Sequence, residues 1–409
     1  MRNFCLSFLA LLLGAIPIQA QTDTLRLVYS VQGIVTDTDN GRAIEAALVT
    51  IPEQSVSTVS NADGKFIIKS AEPINSVQVS CLGYMSITCP VRQGRPLIIK
   101  LKPISFTLDV ATVISGDPLE IVKAAIGKIP DNYCNRPELL ECFYRETIRK
   151  RSRYTYISEA VARMYKTGYG KDVANDRTAL EKSRVLLSQK RSDTLSVKVQ
   201  GGPSQAAVLD IVKNRDLLFN QESLTKYIFE MAPPVYIDGR LQFVIHFRPG
   251  DTFSDDALYY GTMYIDCAKL FFSRIEMSLD VSDTFKAVRL LVVRKPMSLR
   301  LTPRELSIQA NYSYDGDIAR LSYLRTTYKF NCDWKKRLLA TSYTAVNELV
   351  VTGIYPEAIP IGRSEMFRTD DILSDKAELF QDADFWKDYN IIEPAESLEQ
   401  AVKRLRKGR

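Results

Sequence analysis

Histidine is almost absent from this 409-residue sequence, which contains only His246. Zinc peptidases usually hold their metal with histidines, and neither the H-E-x-x-H nor the H-x-x-E spacing occurs around His246. The sequence also lacks C-x-x-C pairs, which excludes zinc ribbons and thioredoxin-like redox motifs. We therefore expect no metal and no cofactor in this protein.

Motifs for serine and nucleotide chemistry are missing as well. No G-x-S-x-G elbow and no G-x-x-x-x-G-K-[ST] phosphate loop occurs. Ser223 to Lys226 match S-x-x-K, but the K-T-G element at Lys166 precedes that motif instead of following it, and the S-D-N element is absent. This order excludes the penicillin-binding enzymes.

Long apolar runs are missing after the first twenty residues, so the sequence predicts no transmembrane helix. At the start, Arg2 precedes a short apolar run from Phe4 to Ile18, and Ala20 precedes a polar stretch. This pattern predicts a secretory signal peptide over residues 1–20, cleaved after Ala20. No cysteine stands at the cut, so we expect an exported protein without a lipid anchor, in the periplasm or at the outer-membrane surface.

Charge and cysteine content set further limits. The net charge is +6, and the 54 basic and 48 acidic residues of the sequence are mostly interspersed, which argues against a nucleic-acid-binding protein.

Removal of the signal peptide leaves six cysteines: Cys81, Cys89, Cys134, Cys142, Cys267 and Cys332. An even count in an exported protein permits disulfides, and buried free thiols are the alternative.

Residues 27–102 contain short alternating segments separated by turn clusters, which predicts a seven-stranded β-sandwich. Within the first turn, Asp37, Asp39 and Gly41 imitate the start of a calcium loop. Such a loop requires a glycine where Arg42 stands and a glutamate at its end, and neither condition holds. We therefore predict a structural turn, in which the aspartates hydrogen-bond their own backbone.

The same region resembles the carboxypeptidase regulatory-like domain, a transthyretin-like sandwich common at the front of exported Bacteroidota proteins. The resemblance is carried by Gly33, Val35, Asp37, Gly41, Ile44, Ala47, Val49, Thr58, Asp63, Gly64, Phe66, Gly83 and Tyr84. It implies an accessory module without catalytic residues.

The second unit, residues 117–353, is predicted to be an α+β domain with a curved antiparallel sheet. Asp117 and Pro118 begin a helix of about three turns, and a second apolar helix is predicted over residues 204–219. Long strands alternate from Tyr227 onward, and Asp315-Gly316 predicts a two-residue hairpin turn. The unit loosely resembles the half-barrel of periplasmic lipoprotein carriers, in which helices lie on the inner face of the sheet. Overall, the chain is expected to be mainly β.

Residues 354–409 form a predicted C-terminal extension that ends in a helix. Pro394 precedes this helix, and its apolar face contains Leu398, Ala401, Val402 and Leu405. The stretch "DFWKDYNIIEP" before it is similar to the ending of Bacteroidota proteins that carry the same front domain.

One strand carries the candidate binding site. Phe243, Ile245 and Phe247 point to one side of the strand, whereas Gln242, His246 and Arg248 point to the other. The three apolar residues are expected to line an apolar cavity on the inner face, unless helices fill it completely. The leading hypothesis is therefore a non-catalytic cell-envelope protein, in which the sandwich is a docking module and the second domain binds an apolar or lipid ligand or an envelope protein partner.

Two other functions remain open at this stage. Glu141, Glu146 and Glu159 lie on predicted strands, and two facing carboxylates suffice for a hydrolase of envelope or dietary glycans. A structural subunit of an outer-membrane assembly is the third possibility. Tyrosines on the strands, such as Tyr260, suit either a binding face or an ordinary half-buried sheet.

Overall fold

The computed structural model describes most of the chain after residue 28. The described ranges are 29–92, 94–104, 116–190, 198–199, 201–250, 254–294, 299–334, 340–355, 357–379 and 385–407. The predicted signal peptide at residues 1–20 lies outside these ranges. None of the helices within them is long and apolar enough to cross a membrane.

The front domain is a β-sandwich, as predicted. Its seven strands are β1 (Tyr29–Asp37), β2 (Leu48–Ile51), β3 (Val56–Val59), β4 (Lys65–Ser70), β5 (Ser76–Ser80), β6 (Ile87–Pro90) and β7 (Leu97–Leu101). One sheet has the order β4-β1-β7 and the other the order β3-β2-β5-β6. Their facing side chains form one core, which includes the buried Val35, Phe66 and Val79. Gly33 has no room for a side chain, since a Cβ there would lie 2.6 Å from the Phe66 ring.

The turn after β1 is structural, as the sequence predicts. One carboxylate oxygen of Asp37 accepts hydrogen bonds from the backbone N–H groups of Asp39 (2.7 Å) and Asn40 (3.1 Å). The other accepts a hydrogen bond of 2.9 Å from the Tyr84 hydroxyl. Gly41 has φ +70°, a conformation that glycine adopts without strain. The Asp37 carboxylate therefore stabilises a loop.

Within the described residues, the second domain and the extension contain thirteen further strands and seven α-helices. The strands are β8 (Glu138–Lys150), β9 (Arg153–Lys166), β10 (Arg177–Leu187), β11 (Lys198–Val199), β12 (Tyr227–Ile237), β13 (Arg240–Pro249), β14 (Tyr259–Asp266), β15 (Phe272–Leu279), β16 (Val292–Arg294), β17 (Leu299–Tyr314), β18 (Ala319–Trp334), β19 (Thr341–Tyr355) and β20 (Glu378–Leu379). The helices are α1 (Pro118–Gly127), α2 (Ile129–Asn132), α3 (Pro203–Val208), α4 (Gln221–Leu224), α5 (Thr284–Leu291), α6 (Leu373–Lys376) and α7 (Glu396–Lys407).

The large sheet has the order β12-β13-β14-β15-β17-β18-β19-β8-β9-β10, with neighbouring strands antiparallel. β20 lies parallel to β10 at one edge, and β11 pairs with β16 apart from this sheet. The sheet is a curved half-barrel, so the predicted fold class is confirmed: the protein is mainly β, with a sandwich followed by a curved antiparallel sheet.

The two faces of this sheet are covered by different parts of the chain. We call the face that packs against α1, α2, α3 and α4 the inner face, and its largest core includes Tyr144, Ala160 and Ile245. The opposite, outer face carries Phe143 and Val161, which pack against the sandwich and the C-terminal extension. Alternation along β8 and β9 thus sends successive side chains into two separate cores.

The sandwich and the extension both attach to the outer face. β3 contacts β19 through the pair Val56 and Gly353, and the Ser86 hydroxyl donates to Asp238 at 3.0 Å in the turn between β12 and β13. α7 lies over β9 and β10, with its predicted apolar residues Leu398, Ala401 and Leu405 buried.

The second predicted helix is much shorter than expected. α3 ends at Val208, and a 3₁₀ turn (Arg215–Leu217) and α4 follow it. The reason is Asp210, whose carboxylate is fully buried and hydrogen-bonded to Lys166, Tyr169 and Tyr312. Tertiary contacts of one acidic residue thus override the helical pattern.

The hairpin turn at Asp315 differs from the prediction, and the state of the six cysteines was an open question. The predicted two-residue turn at Asp315-Gly316 is wrong, because Tyr314 pairs with Ala319 and leaves a four-residue loop. The Asp315 carboxylate accepts hydrogen bonds from the N–H groups of Asp317 and Ile318 and stabilises this wider turn.

The six cysteines from Cys81 to Cys332 form no disulfides. Of the two alternatives that the sequence left open, the structure therefore contains free thiols.

Candidate functional site

The three predicted binding residues lie together on the inner face of β13. Ile245 is 0 % exposed and Phe247 is 2 % exposed, while Phe243 is half-buried against the same core. The Phe247 ring lies 5.6 Å from that of Tyr227 and 6.5 Å from that of Phe229. Protein side chains therefore surround the two deeper residues, and contact of all three with a ligand stays a prediction.

Partly exposed apolar side chains lie on α1, which packs on β12, and on β12 and its neighbour β13. We call this region the α1 seam; its residues are Leu119, Ile121 and Ile126 on α1 and Phe229, Met231 and Phe243 on the sheet. Val122 and Ala125 of α1 are buried beneath them. The inner face therefore changes from closely packed at Ile245 to partly open at the seam.

Apolar contacts alone join α1 to the sheet within the described residues. The side-chain bonds of α1 in the described part of the chain stay on its own surface: Asp117 accepts the Leu119 N–H, and the exposed Lys123 pairs with Glu120. Among the described residues, polar anchors to the sheet follow the end of α1, where the Tyr133 hydroxyl donates to the Phe272 carbonyl oxygen at 2.9 Å.

The segment that contains α3 and α4 is attached quite differently. The Asp210 carboxylate accepts from Lys166 at 2.6 Å, Tyr169 at 2.9 Å and Tyr312 at 2.8 Å. Burial alone would lower the pKa of Lys166, but the nearby Asp210 and Asp176 outweigh it and raise that pKa. This buried network fixes the segment to β9 and β17.

A continuous row of polar side chains crosses the outer face of the large sheet. Strand register places its members opposite one another on successive strands. From β12 to β20 they are Glu230, His246, Thr262, Glu276, Gln309, Arg325, Glu348, Arg145, Glu159, Arg184 and Glu378. We call this set the polar row.

One half of the polar row is buried under the C-terminal extension. Glu159 lies between Arg145 and Arg184, with N–O distances of 2.7 Å to both guanidinium groups. The indole N–H of Trp386 donates to the same carboxylate at 3.0 Å. Burial alone would raise the pKa of Glu159, but the two arginines and the hydrogen bonds lower it to about 2.

Residues 385–392 of the extension, which we call the docked segment, cross this half from β10 toward β8. Arg145 donates to the Ile392 carbonyl oxygen at 2.7 Å. On the other side, the Asn390 side chain bonds the backbone N–H (2.7 Å) and C=O (2.9 Å) of Lys69 in the sandwich. The docked segment thus connects the two domains through hydrogen bonds to both.

The other half of the polar row forms the floor of an open groove of about 1050 Å³. His246 Nδ1 lies 2.9 Å from the Thr262 hydroxyl, and Arg325 forms an ion pair of 2.7 Å with Glu45 of the sandwich. Tyr260, 50 % exposed, stands at its side. The single histidine therefore belongs to this groove, where Glu276 and Gln309 also line the floor.

The three carboxylates considered for hydrolysis do not form a facing pair. Glu141 and Glu159 project from the outer face, whereas Glu146 projects from the inner face. Burial raises the pKa values of Glu141 and Glu146. Glu146 accepts a hydrogen bond from Tyr144 at 2.9 Å, and Glu141 accepts one from Thr352 at 3.0 Å. Within the described ranges, no group of three or more His, Cys, Asp or Glu side chains could hold a metal ion.

Comparison with protein-family models confirms the resemblance of the front domain. Residues 31–113 match the model of the CarboxypepD_reg-like domain. A search of curated proteins found no significant match.

Several solved structures show limited similarity to the chain. An outer membrane lipoprotein-sorting protein domain from Vibrio parahaemolyticus is 12% identical, with 58% of this chain and 91% of that chain covered and a TM-score of 0.29. A LolA superfamily protein from Nitrosomonas europaea is 9% identical, with 58% and 94% covered and a TM-score of 0.20. A DUF1329 family protein from Desulfovibrio piger is 10% identical, with 58% and 94% covered and a TM-score of 0.23. At these identities and scores, none of the three transfers a function to this chain.

Proposed function

We propose that this chain is a non-catalytic binding protein of the cell envelope whose second domain holds an apolar ligand, such as an acyl chain, beneath α1. Support for an accessory rather than catalytic role comes from the CarboxypepD_reg-like match over residues 31–113. The signal peptide predicted over residues 1–20 supports export to the periplasm or the outer-membrane surface.

The α1 seam is the observation that carries this proposal. Its six apolar side chains are only partly buried, and they adjoin the closed core around Ile245 and Phe247. An acyl chain inserted between α1 and β13 would remove this surface from water, and each buried methylene contributes about 0.8 kcal/mol. Phe243 lies where such a chain would enter.

The attachment of α1 supports its role as a movable cover. A helix that is held by apolar contacts can shift over an apolar ligand and exchange one set of contacts for another. The α3–α4 segment has no such freedom, because Asp210 would have to leave Lys166, Tyr169 and Tyr312 unpaired in the interior. Ligand entry is therefore expected beside α1.

The test begins with the mature protein purified from its own envelope. Native mass spectrometry and organic extraction should detect a bound lipid or acyl chain, and the protein should bind a fluorescent fatty acid saturably. Phe243→Asp should abolish both signals because it introduces a charge into the seam. Phe285→Asp is the matched control, since Phe285 is 74 % exposed on α5.

Two results would overturn the proposal. The first is a protein that yields no lipid on extraction and does not bind the fluorescent fatty acid. The second is equal binding by the Phe243→Asp variant, provided that its thermal unfolding shows a folded protein. A ligand-free chain that co-purifies with another envelope subunit would instead indicate a structural role.

A further inference from the structure

We infer that the open groove on the outer face binds an extended polypeptide segment of a partner protein. The groove lies on the opposite face of the sheet from the α1 seam. The inference therefore stands whether or not the domain holds an apolar ligand.

The chain itself shows how a peptide segment, with a turn at residues 385–388, lies on the polar row. In the buried half, the docked segment crosses β10, β9 and β8, and the row supplies both acceptors and donors to it. Glu159 accepts the Trp386 indole N–H, and Arg145 donates to a backbone carbonyl oxygen of the segment. This intramolecular contact defines the chemistry that the row recognises: a main-chain carbonyl together with an aromatic side chain.

The open half presents the same types of group in the same register. In the open half, Arg325 is the guanidinium donor that corresponds to Arg145, and Glu276 is the carboxylate. Gln309, which lies between them, offers an amide to a backbone. Tyr260 provides an exposed aromatic ring, and tyrosine is enriched among the residues that contribute most of the binding energy at protein interfaces.

The size of the groove matches a short extended chain. From His246 to Arg325 the row crosses β13, β14, β15, β17 and β18. Four strand spacings of about 4.8 Å give about 19 Å, a distance that an extended chain covers in about six residues. The volume of about 1050 Å³ accommodates such a segment.

Charge in the groove favours a peptide over a polyanion. Arg325 is already paired with Glu45 at 2.7 Å, and Arg248 is paired with Glu230 at 3.1 Å. Glu276 and Asp280 add negative charge to the lining. A surface with paired charges of both signs suits the neutral dipoles of a peptide backbone better than a phosphorylated or sulfated chain.

The experiment selects linear twelve-residue peptides from a displayed library on the full mature protein. Enriched peptides should contain an aromatic residue, and their synthetic versions should bind with at least tenfold weaker affinity to Gln309→Lys and to Tyr260→Ala. Gln400→Lys, on the exposed side of α7, is the matched control and should bind as the unmodified protein does. Both groove variants should still bind the fluorescent fatty acid if the unmodified protein does.

Three outcomes would overturn the inference. One is the absence of any enriched peptide. Another is unchanged affinity of the enriched peptides for both groove variants, with folding verified by thermal unfolding. The third is binding of neutral oligosaccharides, but not peptides, with loss of that binding in the two groove variants, which would assign the groove to a glycan.

Discussion

The two halves of the polar row form one surface in two different states. Both use alternate residues of long antiparallel strands, and both contain acidic and basic side chains in register. In one half, Glu159, Arg145 and Arg184 are buried and joined by ion pairs beneath the docked segment. In the other half, His246 and Glu276 face an open groove. The difference shows that the covering chain, rather than the sheet, decides whether these charges are structural or free to bind.

The largest expected effect comes from removing the central charge of the buried half. Glu159→Gln leaves the guanidinium groups of Arg145 and Arg184 without their shared carboxylate, in an environment closed to water. Loss of one partner of a buried ion pair costs about 3–5 kcal/mol. Urea unfolding should therefore show this loss in the free energy of unfolding.

The matched control is the same substitution in the open half. The Glu276 side chain is 38% exposed and is paired with its neighbour Arg274. Glu276→Gln should therefore cost less than about 1 kcal/mol, as is usual for exposed pairs. Equal losses in the free energy of unfolding for Glu159→Gln and Glu276→Gln would show that the two halves do not differ in the burial of their charges.

Acid should remove the same stabilisation from the buried half. The folded-state pKa of Glu159 is about 2, whereas an unfolded glutamate titrates near about 4.3, so the unfolded state binds the proton first. The contribution of this group is thus fully present above about pH 5 and is lost as the pH falls toward about 2. It amounts to about 3 kcal/mol at 1.36 kcal/mol for each pKa unit.

The measurement compares unfolding curves of the wild-type protein and Glu159→Gln over this pH range. The difference in their free energies of unfolding should shrink as the pH falls, because protonated glutamate and glutamine are then similar in charge. A constant difference between neutral and acidic pH would contradict the assignment of the low pKa to Glu159.

Local pattern accounts for most of the fold that the sequence predicts. Alternation with period two is a property of each strand alone, so the long strands β8, β9 and β13 and the shared face of Phe243, Ile245 and Phe247 follow from sequence. The start of α7 after Pro394 and the turn at Asp37 follow from equally local signals. The depth of burial of side chains along β13 does not follow from a local signal, because it depends on where α1 lies in the folded domain.

The polar row could not be predicted from the sequence. Its alignment depends on strand register, and irregularities such as the one between Leu180 and Lys182 shift that register by one residue. The burial of Glu159 depends on Trp386, which lies 227 residues later. In the sequence, the aromatic and amide residues of the "DFWKDYNIIEP" stretch are the available signal of a docked segment.

The smallest loss expected in the buried half is where the docked segment meets the sandwich. Asn390→Ala removes two hydrogen bonds to the backbone of the half-buried Lys69, which costs about 1 kcal/mol. Glu159 and its arginines remain, so the buried half should stay compensated while the segment opens more often. Hydrogen exchange should therefore accelerate within residues 385–392 without a matching change in β8 and β9.

Asn40→Ala, which removes one exposed turn contact to Arg42, is the control and should leave hydrogen exchange in residues 385–392 unchanged. If Asn390→Ala instead accelerated exchange in the strands and the segment together, the docked segment would be an inseparable part of the sheet's core, and the two halves of the row would differ in folding rather than in what covers them.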